Sequence, residues 1–124
     1  MPVVAAPATY THKLPGTRLT SLATPSRGSV DLSIWQVEIA PGTAVTPHEV
    51  TREEVFVVLA GRAEVSLGGE RHEAGAGDVI VVPPDVPFAI ENAGDVPLKA
   101  LCCLPVGGQA RLADGNAFTP PWAE

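Results

Sequence analysis

Between residues 30 and 104 apolar and polar positions run in strand-length bursts, each closed by glycine, proline, asparagine or aspartate. Breakers at this density leave no room for a sustained helical stripe, so the pattern predicts strands and turns. The stretch "VDLSIWQVEI" (30–39) alternates through Ile34 and shifts phase at Trp35, as a twisted or bulged strand would. "EVFVVLA" (54–60) is apolar at every position after Glu54, which predicts a strand covered on both faces. "AEVSL" (63–67) and "RHEA" (71–74) flank Gly68-Gly69, a dipeptide suited to the positive φ of a tight hairpin. "DVIVV" (78–82), "FAIE" (88–91) and "PLKALCCL" (97–104) follow, separated by the turns "PPDVP" and "NAGD". About eight short strands in this arrangement predict an all-β sandwich or barrel.

The flanks read differently. Residues 1–29 carry three prolines before Gly16 and no sustained period, which predicts an extended N-terminal arm contributing at most an edge strand. The body of the domain spans 30–106. The tail, 107–124, ends in "FTPPWAE", where two prolines enforce an extended path and Trp122 supplies an apolar anchor, so it is expected to dock on the body or on a neighbouring subunit.

At 124 residues the chain can build one hydrophobic core. A net charge of −6, with eight scattered basic residues, gives no footprint for nucleic acid or an anionic membrane surface. No apolar run approaches the roughly 20 residues of a membrane span. The only cysteines, Cys102 and Cys103, are adjacent and ill placed to bridge one another, which favours a reducing, cytoplasmic setting.

Two spacings carry a family resemblance. Gly42, His48, Val50, Glu54 and Gly61 follow the pattern glycine, five residues, His-x-His, three or four residues, Glu, six residues, glycine, with Val50 in the second histidine's place. Gly77, Pro83, Asp85, Phe88 and Asn92 follow a second pattern, with Asp85 for a glycine and Phe88 for a histidine. In both the chain resembles the small single-domain cupins. That resemblance implies a double-stranded β-helix, or jelly-roll, barrel over residues 30–106.

The resemblance also implies a metal shell of three histidines and one glutamate, of which this chain keeps His48 and Glu54. Catalytic sites for transition metals ordinarily use three protein ligands. The expectation is therefore no cofactor, or a weakly held divalent transition metal at His48 and Glu54. Because side chains alternate along a strand, Glu54 inward places Phe56 and Val58 inward. Likewise Phe88 brings Ile90, and Leu98 brings Ala100, Cys102 and Leu104. Val50, Phe56, Val58, Phe88, Ile90 and Cys102 are thus the expected pocket lining. Cys102 is either a small core residue or a spare soft ligand or reactive thiol. His12 and His72 lie outside both patterns, and Glu49 and Glu53 are expected to be solvated.

Without metal, His48 and Glu54 are expected to form a couple, structural or acid/base. Three functions remain open. The first is a binding protein for a small apolar or aromatic molecule, anchored by His48 and Glu54. The second is a small-molecule enzyme of dioxygenase, isomerase or cyclase type, metal-dependent or using the same pair for proton transfer. The third is a structural or interaction protein with a filled lumen. Val55, Val57 and Leu59 form a second apolar face, which predicts a homodimer.

Overall fold

The computed structural model describes residues 3–124. In chain order its strands are β1 (His12–Leu14), β2 (Thr17–Ala23), β3 (Leu32–Ile39), β4 (Glu49–Val50), β5 (Glu54–Ala60) and β6 (Arg62–Leu67). There follow β7 (Glu70–Gly75), β8 (Val79–Val82), β9 (Phe88–Asn92), β10 (Leu98–Pro105), β11 (Ala110–Arg111) and β12 (Ala117–Phe118). The helical content among the described residues is two short 3-10 turns, Pro25–Arg27 and Pro121–Ala123. None of their helices is long and apolar enough to cross a membrane.

One sheet has six strands in the order β1-β2-β3-β10-β5-β8. Against it stand two three-stranded sheets, β7-β6-β9 and β12-β11-β4, with the His48↔Phe88 bridge stitching the second to the first. All pairings are antiparallel, giving the jelly-roll architecture implied by the glycine and proline spacings. The core lies between the layers. Phe56 of the large sheet and Phe88 of the small one meet there with ring centroids 6.0 Å apart.

Two expectations are revised. Residues 12–23 are not an arm but a hairpin, turning at Gly16 (φ +69°) and pairing with β3 along its length. Its alternation is hidden in the sequence because half the inward positions of β2 are polar: Leu19 is buried beside Ser21. Nor does β3 change phase. Ser33, Trp35, Val37 and Ile39 all face inward, while Leu32 and Ile34 face out. The irregularity is instead in β2, between Ser21 and Ala23. Ser33 misleads the eye because it is a buried serine, 1% exposed, whose hydroxyl donates to the Ala123 carbonyl at 2.7 Å. The tail is ordered as β11, β12 and a 3-10 turn against its own sheets.

Several turn positions have local physical reasons. Gly68 and Gly69 both take positive φ, as a two-residue hairpin demands. Asp85 is the single non-glycine residue with positive φ (+64°) among those described, in the slot where the second pattern expects glycine. Aspartate tolerates that conformation better than most side chains. Its backbone N–H donates to Val50 at 2.9 Å and its carboxylate accepts from Arg111 at 2.8 Å, which holds the strained turn in place. Asn92 ties the 92–96 turn to β3, its amide donating to the carbonyls of Ile39 (2.9 Å) and Val96 (2.8 Å).

Gly61 joins β5 to β6 at φ +84°, and a Cβ there would lie 2.7 Å from the Pro97 carbonyl oxygen and 2.9 Å from the Leu98 Cα. Both obstacles are backbone, so neither can swing aside. Gly61→Ala is expected to cost about 2–4 kcal/mol, combining left-handed strain with overpacking. Urea unfolding of the two proteins measures the difference.

Candidate functional site

Inward side chains of the facing sheets enclose a cavity of about 320 Å³ between the layers. β5 turns Glu54, Phe56 and Val58 toward it, β9 supplies Phe88 and Ile90, β10 supplies Cys102, and Val50 of β4 closes one side. His48 enters just ahead of β4, positioned by paired backbone hydrogen bonds with Phe88 of 3.0 and 2.9 Å. All eight residues singled out from the sequence therefore border one cavity, and that cavity is not filled by side chains. The filled-lumen reading is corrected on this point.

Its polar inventory is short. His48 packs on Phe88 with ring centroids 4.5 Å apart, and its Nδ1 lies 3.3 Å from the Thr46 carbonyl. A carbonyl only accepts, so that contact places the ring proton on Nδ1 and leaves Nε2 a bare acceptor. Burial pushes the imidazole pKa below its ordinary value, outweighing the opposing pull of the Thr46 bond, so His48 is neutral near pH 7.

Glu54 is 4% exposed, between Val82 on β8 and the neighbouring inward side chains of β10. Desolvation alone raises its pKa to about 8. No cation or donor among the described residues offsets it, so the carboxyl is mostly protonated near pH 7 and offers an O–H donor. The expected His48–Glu54 couple is not formed: no hydrogen bond or ion pair joins the two. His48 spends its Nδ1 on the Thr46 carbonyl, two residues earlier in the chain.

Cys102, fully buried opposite Phe56, has its thiol pKa driven well above the ordinary value by burial and then by the nearby Glu54 and Cys103. Thiolate is disfavoured, so Cys102 is a small lining residue rather than a reactive thiol. Cys103 faces the opposite side of β10, and its pKa is raised as well, chiefly by burial. His72 is an exposed strand residue 3.4 Å from Glu70, and His12 packs edge-on to Trp122 at 6.3 Å. Glu49 is not simply solvated: together with Asp85 it accepts from Arg111 (3.2 and 2.8 Å), clamping β11 to β4.

A resident divalent metal does not fit these residues. Among those described, no three of His, Cys, Asp and Glu converge on one point. Val50 and Phe88, each 2% exposed, put apolar groups where two further donors would be needed.

Much of the lining was not foreseen. Trp35, Val37 and Ile39 follow from the true phase of β3, and could have been found by letting a buried serine into the alternation. Leu14, Leu19, Phe118 and Trp122 come from the flanks, where short strands leave no periodic signal.

Comparison with known proteins agrees with the architecture. The sequence profile of the family described as "Cupin domain" matches residues 35–104, more than half of the chain. An uncharacterized protein of Methanocaldococcus jannaschii is 40% identical over 75 residues, covering 60% of this chain and 60% of that one. The chain thus matches about 60% of that relative's length. The polyketide cyclase RemF from Streptomyces resistomycificus aligns with a TM-score of 0.66 at 23% identity, over 82% of this chain and 73% of that one. KdgF from Halomonas sp. aligns with a TM-score of 0.61 at 28% identity, over 76% and 84% respectively.

The buried carboxyl has a measurable signature. The folded chain holds the Glu54 proton more tightly than the unfolded chain does, so its contribution is fully present below the ordinary value of 4.5. It is lost as pH climbs toward 8. In that window the loss approaches ~1.4 kcal/mol per pH unit. His48 acts in the opposite sense below its ordinary value of 6.5, so the comparison is between the wild type and Glu54→Gln, in which His48 cancels. Urea unfolding at pH 5, 6, 7 and 8 should show the wild type weakening relative to the variant; parallel profiles would place the carboxylate in contact with solvent.

Proposed function

The chain belongs to the cupin domain family, and on that premise we propose that it binds a small, uncharged, largely apolar or aromatic organic molecule in the lumen between its sheets. One observation carries the reading: Glu54, 4% exposed, turns its carboxyl into an apolar cavity and makes no hydrogen bond or ion pair with another described residue. A carboxyl facing an apolar cavity is poorly solvated, and an arriving ligand that accepts its hydrogen bond recovers part of that cost. The cavity's size lies at the lower end of the ~300–1,000 Å³ common for small-molecule sites, and its few polar groups among apolar walls match such sites. No lysine or arginine lines it, so a carboxylate or phosphate would enter without a counter-charge. The protonated Glu54 donates and Nε2 of His48 accepts, a combination suited to a phenol or a hydroxy-ketone.

A second reading keeps the same ligand and adds proton transfer. A pKa of about 8 leaves Glu54 able to give and regain a proton near neutrality, which is what a general acid requires. Under that reading Glu54→Gln binds normally and does not turn over; under the first, no turnover exists to lose.

We further propose a homodimer in a reducing, cytoplasmic setting, in keeping with two unpaired cysteines. The outer face of the large sheet carries a row Ile34, Cys103, Val55, Val81 across four strands, with Leu59 and Val79 about half exposed beside it. Charge gathers at its border, in the row Lys13, Arg18, Glu38, Lys99. An uncharged patch on a chain of net charge −6 has its best complement in the same patch, related by a two-fold axis. Light scattering at micromolar concentration should give twice the chain mass, and Val81→Lys should halve it.

Ligand binding is tested with simple rings. Phenol is expected to raise the melting temperature at pH 7, whereas benzoate leaves it unchanged, since only a species bound to the folded state stabilises it. Both tryptophans of the chain, Trp35 and Trp122, line the cavity, so excitation at the red edge of their absorption should follow the same occupancy. Stabilisation by benzoate but not by phenol would contradict the uncharged-ligand reading.

A further inference from the structure

The segment matched by the cupin profile ends at residue 104, yet the wall of the cavity does not. Ala110, Leu112, Phe118, Pro120 and Trp122 all border it. We propose that the C-terminal strap, residues 109–124, is the specificity-determining wall of the lumen site, with Trp122 and Phe118 setting the size of the ring system admitted. This rests on the lumen being a ligand site.

The way the strap is held argues for a fixed wall. At one end, Thr51 and Gln109 exchange hydrogen bonds of 2.9 and 2.8 Å, and Arg111 bridges Glu49 and Asp85. At the other end three serine hydroxyls each donate to one of three consecutive carbonyls: Ser21 to Trp122 at 2.8 Å, Ser33 to Ala123 at 2.7 Å and Ser26 to Glu124 at 2.6 Å. Ser21 and Ser33 are buried, at 7% and 1% exposure, on the inward faces of core strands. An inward serine weakens a sheet-to-sheet core unless its hydroxyl is satisfied. These two are satisfied by the strap, so β2 and β3 are built to receive it. Between the two anchors the chain turns at Gly115 (φ +86°), with Leu112 and Asn116 closing the turn at 2.9 Å. Phe118 and Trp122 are thereby presented to the cavity from a backbone pinned on both sides.

A wall of this kind acts on which ligand fits, whereas a merely structural strap acts on stability alone. The experiment therefore compares a ratio: the affinity for 9-phenanthrol divided by that for phenol, measured by calorimetry at pH 7. Variants are Trp122→Ala, with Trp122→Phe and Phe118→Ala as milder cuts that keep the serine anchors. Leu101→Ala, a half-buried change on the outer face of β10, is the control for lost stability. Removing ring bulk from the wall is expected to raise the ratio about tenfold or more for Trp122→Ala and less for the milder variants, with no change in Leu101→Ala. If the melting temperature falls while the ratio stays at the wild-type value in all three strap variants, the strap is only structural and the inference is wrong. If no phenol binds the wild type, the lumen reading itself fails and this inference falls with it.

Discussion

A strand cannot turn two successive side chains to the same side, and in β5 both sides are occupied. One face carries Glu54, Phe56 and Val58 into the cavity; the other carries Val55, Val57 and Leu59 to the outside. Because β5 lies between β10 and β8, its register sets theirs: Cys102 stands opposite Phe56 on one side and Ile80 on the other. A slip of one residue would expel the core face and draw the outer face inward. The cavity lining, the apolar outer row and the burial of the one inward carboxyl all follow from this register.

That carboxyl gives the cavity its character. In the cupin pattern it belongs to a charged metal shell, but here Val50 and Phe88 replace two of its companions and no cation is nearby. Without an opposing charge, low dielectric favours the proton, and the same position changes from anionic ligand to neutral donor. His48 changes in parallel, losing charge to burial. The result is a polar pair in a lumen with no formal charge near neutrality.

The flanks complete what the central strands begin. The C-terminal strap meets β2 at Ser21 and β3 at Ser33, and the strap and the β1-β2 hairpin both lend side chains to the cavity. The family pattern thus supplies the frame and the polar anchors, while segments outside it supply part of the wall.

The strand count in the middle of the chain, the Gly68-Gly69 hairpin and the inward sets of β5, β9 and β10 were legible in the sequence. Each is a local matter of period or of backbone freedom, and local physics is written residue by residue. The jelly-roll architecture was legible through the spacings from Gly42 to Asn92. Three features were not legible. The phase of β3 was masked by Ser33, whose burial makes sense only once Ala123, 90 residues on, brings its carbonyl. The hairpin of residues 12–23 was masked by its own polar inward positions. The separation of His48 from Glu54, both correctly placed at the cavity, depends on how two sheets stand apart and on which backbone carbonyl lies closer. Alternation says which way a side chain points; only packing between distant segments decides what it meets there and whether it keeps its proton.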